Sequence, residues 1–415
     1  GTNALGTAAL GNAGGGINVS GANNIIGGTV AGAGNVISGN TSPGSGHGLE
    51  LGAAGNFVQG NIIGLNASGN AIIANAGYGI QMFSSASGNT IGGTTADARN
   101  IISGNTLNGI GLIGSGNTIQ GNYIGTDIGG TIDLGNGTDG IEINTGANNV
   151  IGGTVAGARN IISGNNSDGI QISGAGATGN VIQGNYIGTD VTGTADLGNS
   201  SKGIFIAGIS GNTIGGTAAG ARNIISGNDS DGIQISGSGA TGNVIQGNYI
   251  GTNFTGTVAV GNSAQGINIG SGANTTTIGG TASGAGNLIS GNSGATSRGI
   301  FVASATDTTI QGNLIGADVT GTLDLGNFLA GIDLNTGANN STVGGTTAGA
   351  MNVISGNADG IDVHGTGNVI QGNLIGTNAA GTGAVGNTNH GIWIAGGATN
   401  TIGGTAPGAG NLISG

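Results

Sequence analysis

The chain has no cysteine, two prolines and five cationic side chains among 415 residues. Without cysteine it can form neither a disulfide nor a thiolate metal site. Arg99, Arg159, Lys202, Arg222 and Arg298 stand against 17 acidic residues, and the net charge is −12. Nucleic acid and anionic lipid both require a basic surface, so neither is expected as a partner. No apolar run approaches the ~20 residues of a membrane-spanning helix, so no membrane insertion is expected within this segment. Aromatic residues are 3% of the chain, too few for one large aromatic-rich core. Glycine is abundant at 101 residues. The missing Gly-X-Y period excludes collagen, and regularly placed Ile, Val and Leu argue against disorder. The chain does not open with methionine and shows no signal peptide. It reads as a mature product or the ordered part of a longer protein.

What is present is a repeat. A Gly-Ile-x-Ile type motif recurs at Gly16, Gly48, Gly79, Gly109, Gly140, Gly169, Gly203, Gly232, Gly266, Gly299, Gly331, Gly360 and Gly391, about 31 residues apart. Each step holds three short apolar-alternating segments separated by glycines, the pattern of strands joined by tight bends. The second segment is of the type Asn180-Val181-Ile182, with Thr or Ser replacing Asn in some copies. The third opens with Asn35, Asn61, Asn100, Asn122, Asn160, Asn185, Asn223, Asn248, Asn287, Asn313, Asn352, Asn373 and Asn411. Asparagine carries both donors and an acceptor, so copies stacked at the ~4.8 Å strand spacing can bond into a structural ladder. A longer period overlies this one. "GTDVTGTADLGN" at 188–199 recurs at 125–136 and 316–327, with weaker copies from Gly1, Gly64, Gly251 and Gly376. Two turns therefore make one unit of about 63 residues.

These features predict an all-β chain, a right-handed parallel β-helix of about 13 turns with three short strands per turn. It is expected to be continuous over 1–415. Both ends stop within a repeat unit, so the segment is expected to belong to a longer rod or filament. Carried by "GIQISGSGATGNVIQGNYIGT" at 232–252 and its copies, the sequence resembles the right-handed parallel β-helix repeat proteins of bacterial surfaces, which share the pectin-lyase-like fold. That resemblance implies the fold. It leaves function open among lyases, hydrolases, adhesins and structural rods.

In pectin-lyase-like enzymes the substrate lies along the outer face of the first strand, so that face is where a site is sought. Its middle positions include Glu142, Phe205, Phe301, Asp333, Asp362 and Trp393, and a neighbouring column holds His47, Asp139, Asp168, Asp231, Asp359 and His390. Asp333, Asp362 and His364 are the residues expected to act if the chain is a polysaccharide hydrolase, since paired carboxylates can serve as acid and base. Trp393, Asp359 and His390 are candidate ligand contacts. Asp139, Glu142 and Asp168 form a second carboxylate group. Against both stands the plain reading that outward strand positions are polar for solvent. "GHG" at 46–48 matches one short polygalacturonase motif, but the other motifs of that family are missing. Asp127 with Asp133, Asp190 with Asp196, and Asp318 with Asp324 could bind calcium through their loops. The competing reading makes these residues turn formers, and four other copies lack one or both carboxylates. Arg99, Arg159 and Arg222 read as a local surface row. No threonine array runs through every turn, which argues against ice binding.

The function expected is that of a non-enzymatic, extracellular or cell-surface structural β-solenoid. It would form a rod, fibre, sheath, surface layer or adhesin stalk that assembles with itself, end-to-end or laterally, and requires no cofactor. The alternative is a polysaccharide-binding or polysaccharide-degrading domain, with surface polysaccharide as partner.

Overall fold

The computed structural model describes all 415 residues. The chain forms two compact units, Gly1–Phe205 and Ile206–Gly415, and the division falls inside the strand Ile204–Ala207. Both are built from the same three-strand turn, and strands of successive turns pair in parallel in three sheets. In the first sheet Ile110–Leu112 pairs with Ile80–Met82 on one side and with Ile141–Asn144 on the other. The fold is a right-handed parallel β-helix.

Alternation within each short strand sends aliphatic side chains inward. Ile110, Leu112, Ile119 and Ile124 of one turn are buried, as are Ile361, Val363, Ile370 and Ile375 of another. Each such side chain contributes roughly 1.5–3 kcal/mol on leaving water. The motif glycines are required by closeness. At Gly109 a Cβ would lie 2.7 Å from the Gly140 carbonyl oxygen and 2.9 Å from the Asn136 amide.

The expected asparagine ladder is present at the third strand. Nδ2 of each residue donates to Oδ1 of the next through Asn35, Asn61, Asn100, Asn122, Asn160 and Asn185, at 2.8–3.1 Å. Asn223, Asn248, Asn287, Asn313, Asn352, Asn373 and Asn411 repeat it in the second unit at 2.8–3.0 Å. Two further ladders exist. One precedes the second strand and links Asn24, Asn56, Asn89, Asn117, Asn149 and Asn180. In the second unit Thr276, Thr308 and Ser341 interrupt it, and their buried hydroxyls lack partners. The other precedes the first strand. It joins Asn12, Asn40, Asn75, Asn105, Asn136, Asn165 and Asn199, and again Asn228, Asn262, Asn292, Asn327, Asn357 and Asn387.

The third sheet is also apolar on its outer side. Ile101, Tyr123, Ile161 and Tyr186 point outward yet are buried, because loops fold over them. Arg99 and Arg159 form part of this roof, with each guanidinium 4.0 Å from the ring centre of Tyr123 or Tyr186. Arg222 covers Tyr249 in the same way in the second unit. The arginine row is thus a packing device rather than surface decoration. Where Gly34 takes the arginine position, the roof is open. A recess of ≈ 210 Å³ lies there over Ile62, edged by Val30, Asp97, Arg99 and Ile128.

Candidate functional site

The carboxylates before the first strand have a structural partner. Asp139 Oδ1 accepts the backbone N–H of Asp168 at 3.0 Å, and Asp168 Oδ1 accepts that of Lys202 at 2.9 Å. Asp231 serves Gln265, Gln265 serves Arg298, and Asp359 serves His390. His47 Nδ1 accepts the N–H of Tyr78. This column is a fourth, interrupted ladder of mixed residues, in which the acceptor side chains cap the next turn. Glu142 is held by Asn108 Nδ2 at 2.8 Å. Burial pushes Asp139 up to about 6, and hydrogen bonds from Ser167 and the Asp168 backbone oppose the shift. The structure therefore brings Asp139, Glu142 and Asp168 close, as expected, but engages Asp139 and Asp168 in holding the corner.

The calcium candidates are also engaged. Asp127 Oδ1 accepts the N–H groups of Thr131 and Ile132, and Asp133 Oδ1 accepts that of Gly135. Asp190 and Asp318 close their loops in the same way, and their hydrogen bonds hold both carboxyls below the ordinary range against the opposing effect of burial. Asp196 and Asp324 cap Gly198 and Gly326. Asn253 makes the equivalent bonds to Thr257 and Val258 without a charge. No group of three or more Asp, Glu or His side chains is placed to hold a metal ion. The threonines of these loops turn inward, Thr192 to Asp190 and Thr320 to Asp318.

The remaining group lies on the outer face of the first sheet in the second unit. Register places Phe301, Asp333, Asp362 and Trp393 in one column on successive turns. Asp333 is buried and paired with Arg298 Nε at 2.6 Å, and the guanidinium also lies 5.1 Å from the Phe301 ring centre. Asp362 is half-buried, and its Oδ1 is enclosed with no hydrogen-bond partner. Burial pushes it up to about 7. The charges of Asp359 and Asp333 add to the shift, and Arg298 and His390 oppose it. Trp393 is 46% exposed. His390 stacks on its ring at 6.0 Å between centres, and His364 meets its edge at 5.9 Å. His390 Nδ1 lies 2.8 Å from Asp359 Oδ1, and Asn389 donates to the other Asp359 oxygen.

The structure thus assembles all six first-face candidates, Asp333, Asp359, Asp362, His364, His390 and Trp393, and adds Arg298 and Asn389. Arg298 stands in the column before the first strand, 35 residues from Asp333 in sequence. The repeat makes it the neighbour of one turn earlier. The assembled surface offers an aromatic platform, acceptors beside it, and one carboxyl that holds its proton near neutrality.

No protein-family profile matches this sequence. No curated protein matches it either. Similar folds occur among solved structures. A threonine-to-asparagine mutant of the periplasmic alginate epimerase AlgG is 12% identical, over 86% of this chain and 69% of that one, with a TM-score of 0.49. The A-module of Azotobacter vinelandii mannuronan C-5 epimerase AlgE6 is 14% identical, over 88% and 85%, with a TM-score of 0.46. Pectate lyase Pel9A is 12% identical, over 85% and 76%, with a TM-score of 0.35.

Proposed function

We propose that this chain is a polysaccharide-binding β-solenoid, with the glycan lying on the outer face of the first sheet at Trp393, Asp362 and Asp359. The Trp393 ring, in register with Asp362 and flanked by two imidazoles, carries this reading. A sugar ring has an apolar C–H face that packs on an aromatic plane, and a rim of hydroxyls that seek fixed acceptors and donors. Trp393 suits the first, and Asp359, Asp362 and Asn389 suit the second. Three carboxyls beside one arginine favour neutral or amino sugars over polyuronates, whose charge would be repelled.

Glycosidic cleavage is not part of this reading. Asp333, the second carboxyl of the column, is buried in its pair with Arg298. It is not free to act as nucleophile or base beside Asp362. A structural role is compatible with binding. It is favoured by the asparagine ladder of the third strand, which is unbroken within each unit. An extracellular or cell-surface setting accords with both.

Calorimetry against neutral, amino and uronate polysaccharides tests the proposal. Binding to a neutral or amino polymer is expected. Trp393→Ala should weaken it about tenfold or more, equivalent to ~1.4 kcal/mol, with the circular dichroism spectrum unchanged. No binding to any polymer, or binding indifferent to Trp393→Ala, would overturn it. Release of reducing ends, lost in Asp362→Asn, would replace binding with hydrolysis.

A further inference from the structure

In the unit Gly1–Phe205 the first sheet carries a notch on its outer face, made of residues other than those around Trp393. Register places Gln81, Gly111 and Glu142 in one column on successive turns. Gly111 has no side chain, and beside it lies a notch of ≈ 90 Å³ lined by Tyr78, Gln81, Glu142 and Asn144. Gln81 is only 6% exposed, yet its amide has no hydrogen-bond partner in the protein. The amide is aimed over the glycine, where a Cβ would lie 2.8 Å from Gln81 Oε1 and 3.1 Å from Tyr78 Cε1. Glu142 Oε2 accepts Asn108 Nδ2, which leaves Oε1 without a partner. His47 packs against Tyr78 at 5.3 Å between ring centres. Burial holds His47 below the ordinary imidazole range, so it adds no positive charge here at neutral pH.

We infer that this notch binds a primary ammonium group, as carried by an amino sugar. The chain itself shows what a ring and a carboxylate hold on this face. Lys202 lies 4.8 Å from the Phe205 ring centre and 3.8 Å from Asp168. Arg298 lies 5.1 Å from the Phe301 ring centre and 2.6 Å from Asp333. Tyr78 and Glu142 supply the same two groups without a cation between them. All five cationic side chains of the protein are already stacked on other rings. The cation is therefore left for a ligand to supply. An ammonium has three donors and no acceptor, which suits the two open oxygens, Glu142 Oε1 and Gln81 Oε1. An anion would instead be repelled by Glu142 and by Asp139 beside it.

The test is calorimetric titration of the full chain carrying Trp393→Ala. That substitution removes the aromatic platform of the proposed glycan site, so the two readings fail separately. Glucosamine is the probe, and N-acetylglucosamine is its uncharged counterpart. At low salt, saturable binding of glucosamine is expected, about tenfold or more tighter than that of N-acetylglucosamine. Glu142→Gln keeps the bond from Asn108 and removes the charge, and Gln81→Leu removes the buried acceptor. Each should weaken glucosamine about tenfold with the melting curve unmoved. Should Glu142→Gln fail to fold, Gln81→Leu carries the test, because an amide without partners does not hold the fold. No glucosamine binding, equal binding of the two sugars, or binding indifferent to the substitutions would overturn the inference.

Discussion

At the scale of the residue, the asparagine ladders carry the fold. Asn122 Oδ1 accepts both the backbone and side-chain N–H of Asn100, and its own Nδ2 donates to the Ile91 and Gln120 carbonyls and to Asn160. All but Gln120 of these residues are buried. Asn122→Ala would orphan several of them at about 1–3 kcal/mol each, so a loss of ~3 kcal/mol or more in urea unfolding is expected. Asn70→Ala, at an exposed loop position, should cost less than ~0.5 kcal/mol. The first ladder was legible because Asn-x-Ile is invariant across the copies. The ladder before the first strand was equally regular, in Gly104-Asn105, Gly135-Asn136 and Gly164-Asn165. It is less visible because those residues lie outside the strand motifs. Asp139 gives a second test at this scale. Its carboxyl is raised to about 6 in the folded chain by burial. The folded state thus holds the proton more tightly than the unfolded state. The contribution of Asp139 is most favourable below the unfolded value of ~3.9 and declines as pH rises toward 6. Asp139→Asn should remove that decline. It should raise stability at pH 8 relative to the parent by about 1–3 kcal/mol, measured by urea midpoints from pH 4 to 8.

At the scale of the element, the loop hairpins show why aspartate reads ambiguously in sequence. Two carboxylates six residues apart in a glycine-rich loop fit a hard cation or a turn equally well. Asp127, Asp190 and Asp318 share their position with Asn253, which accepts the same backbone N–H groups. A position that works with a neutral amide is one where the acceptor is the requirement, and the lowered carboxyls of Asp190 and Asp318 show that the charge adds to it. Asp318→Asn should therefore keep the loop closed but lower stability at neutral pH, and the difference from the parent should vanish as pH falls through the carboxyl's titration, measured by urea midpoints. Millimolar calcium should leave the melting temperature of the parent unchanged; a calcium-dependent rise absent from Asp318→Asn would reverse this conclusion. The roof over the third sheet was hidden for a different reason. An outward strand position reads as solvent-facing, and nothing in a strand motif reveals that a loop will cover Tyr123 or that Arg99 will lie on its ring.

At the scale of the whole molecule, charge is scarce and its placement decides the chemistry. The repeat made the fold and the first-face columns readable, because register follows once the period is known. The state of Asp362 was not readable. It depends on burial, on Asp359 and Asp333 nearby, and on where Arg298 comes to rest. With its carboxyl raised to about 7, Asp362 changes charge close to neutrality. A glycan packed on Trp393 would remove further water from it and raise the carboxyl again. The complex then binds the proton more tightly than the free protein, so affinity falls as pH rises through 7 and beyond. A further rise of about one unit corresponds to a tenfold loss of affinity between the two limits. Below this range a neutral Asp362 would donate a hydrogen bond to a glycan hydroxyl. Above it, the site must hold another anion beside Asp333 and Asp359. Asp362→Asn keeps the shape and a donor but cannot ionise, so the fall in affinity above pH 7 should disappear while any contribution of His364 and His390 below it remains. Calorimetric titrations of both chains from pH 5 to 9 decide the point: a parent whose affinity does not fall above neutrality, or a fall there that Asp362→Asn leaves in place, would separate glycan binding from this carboxyl.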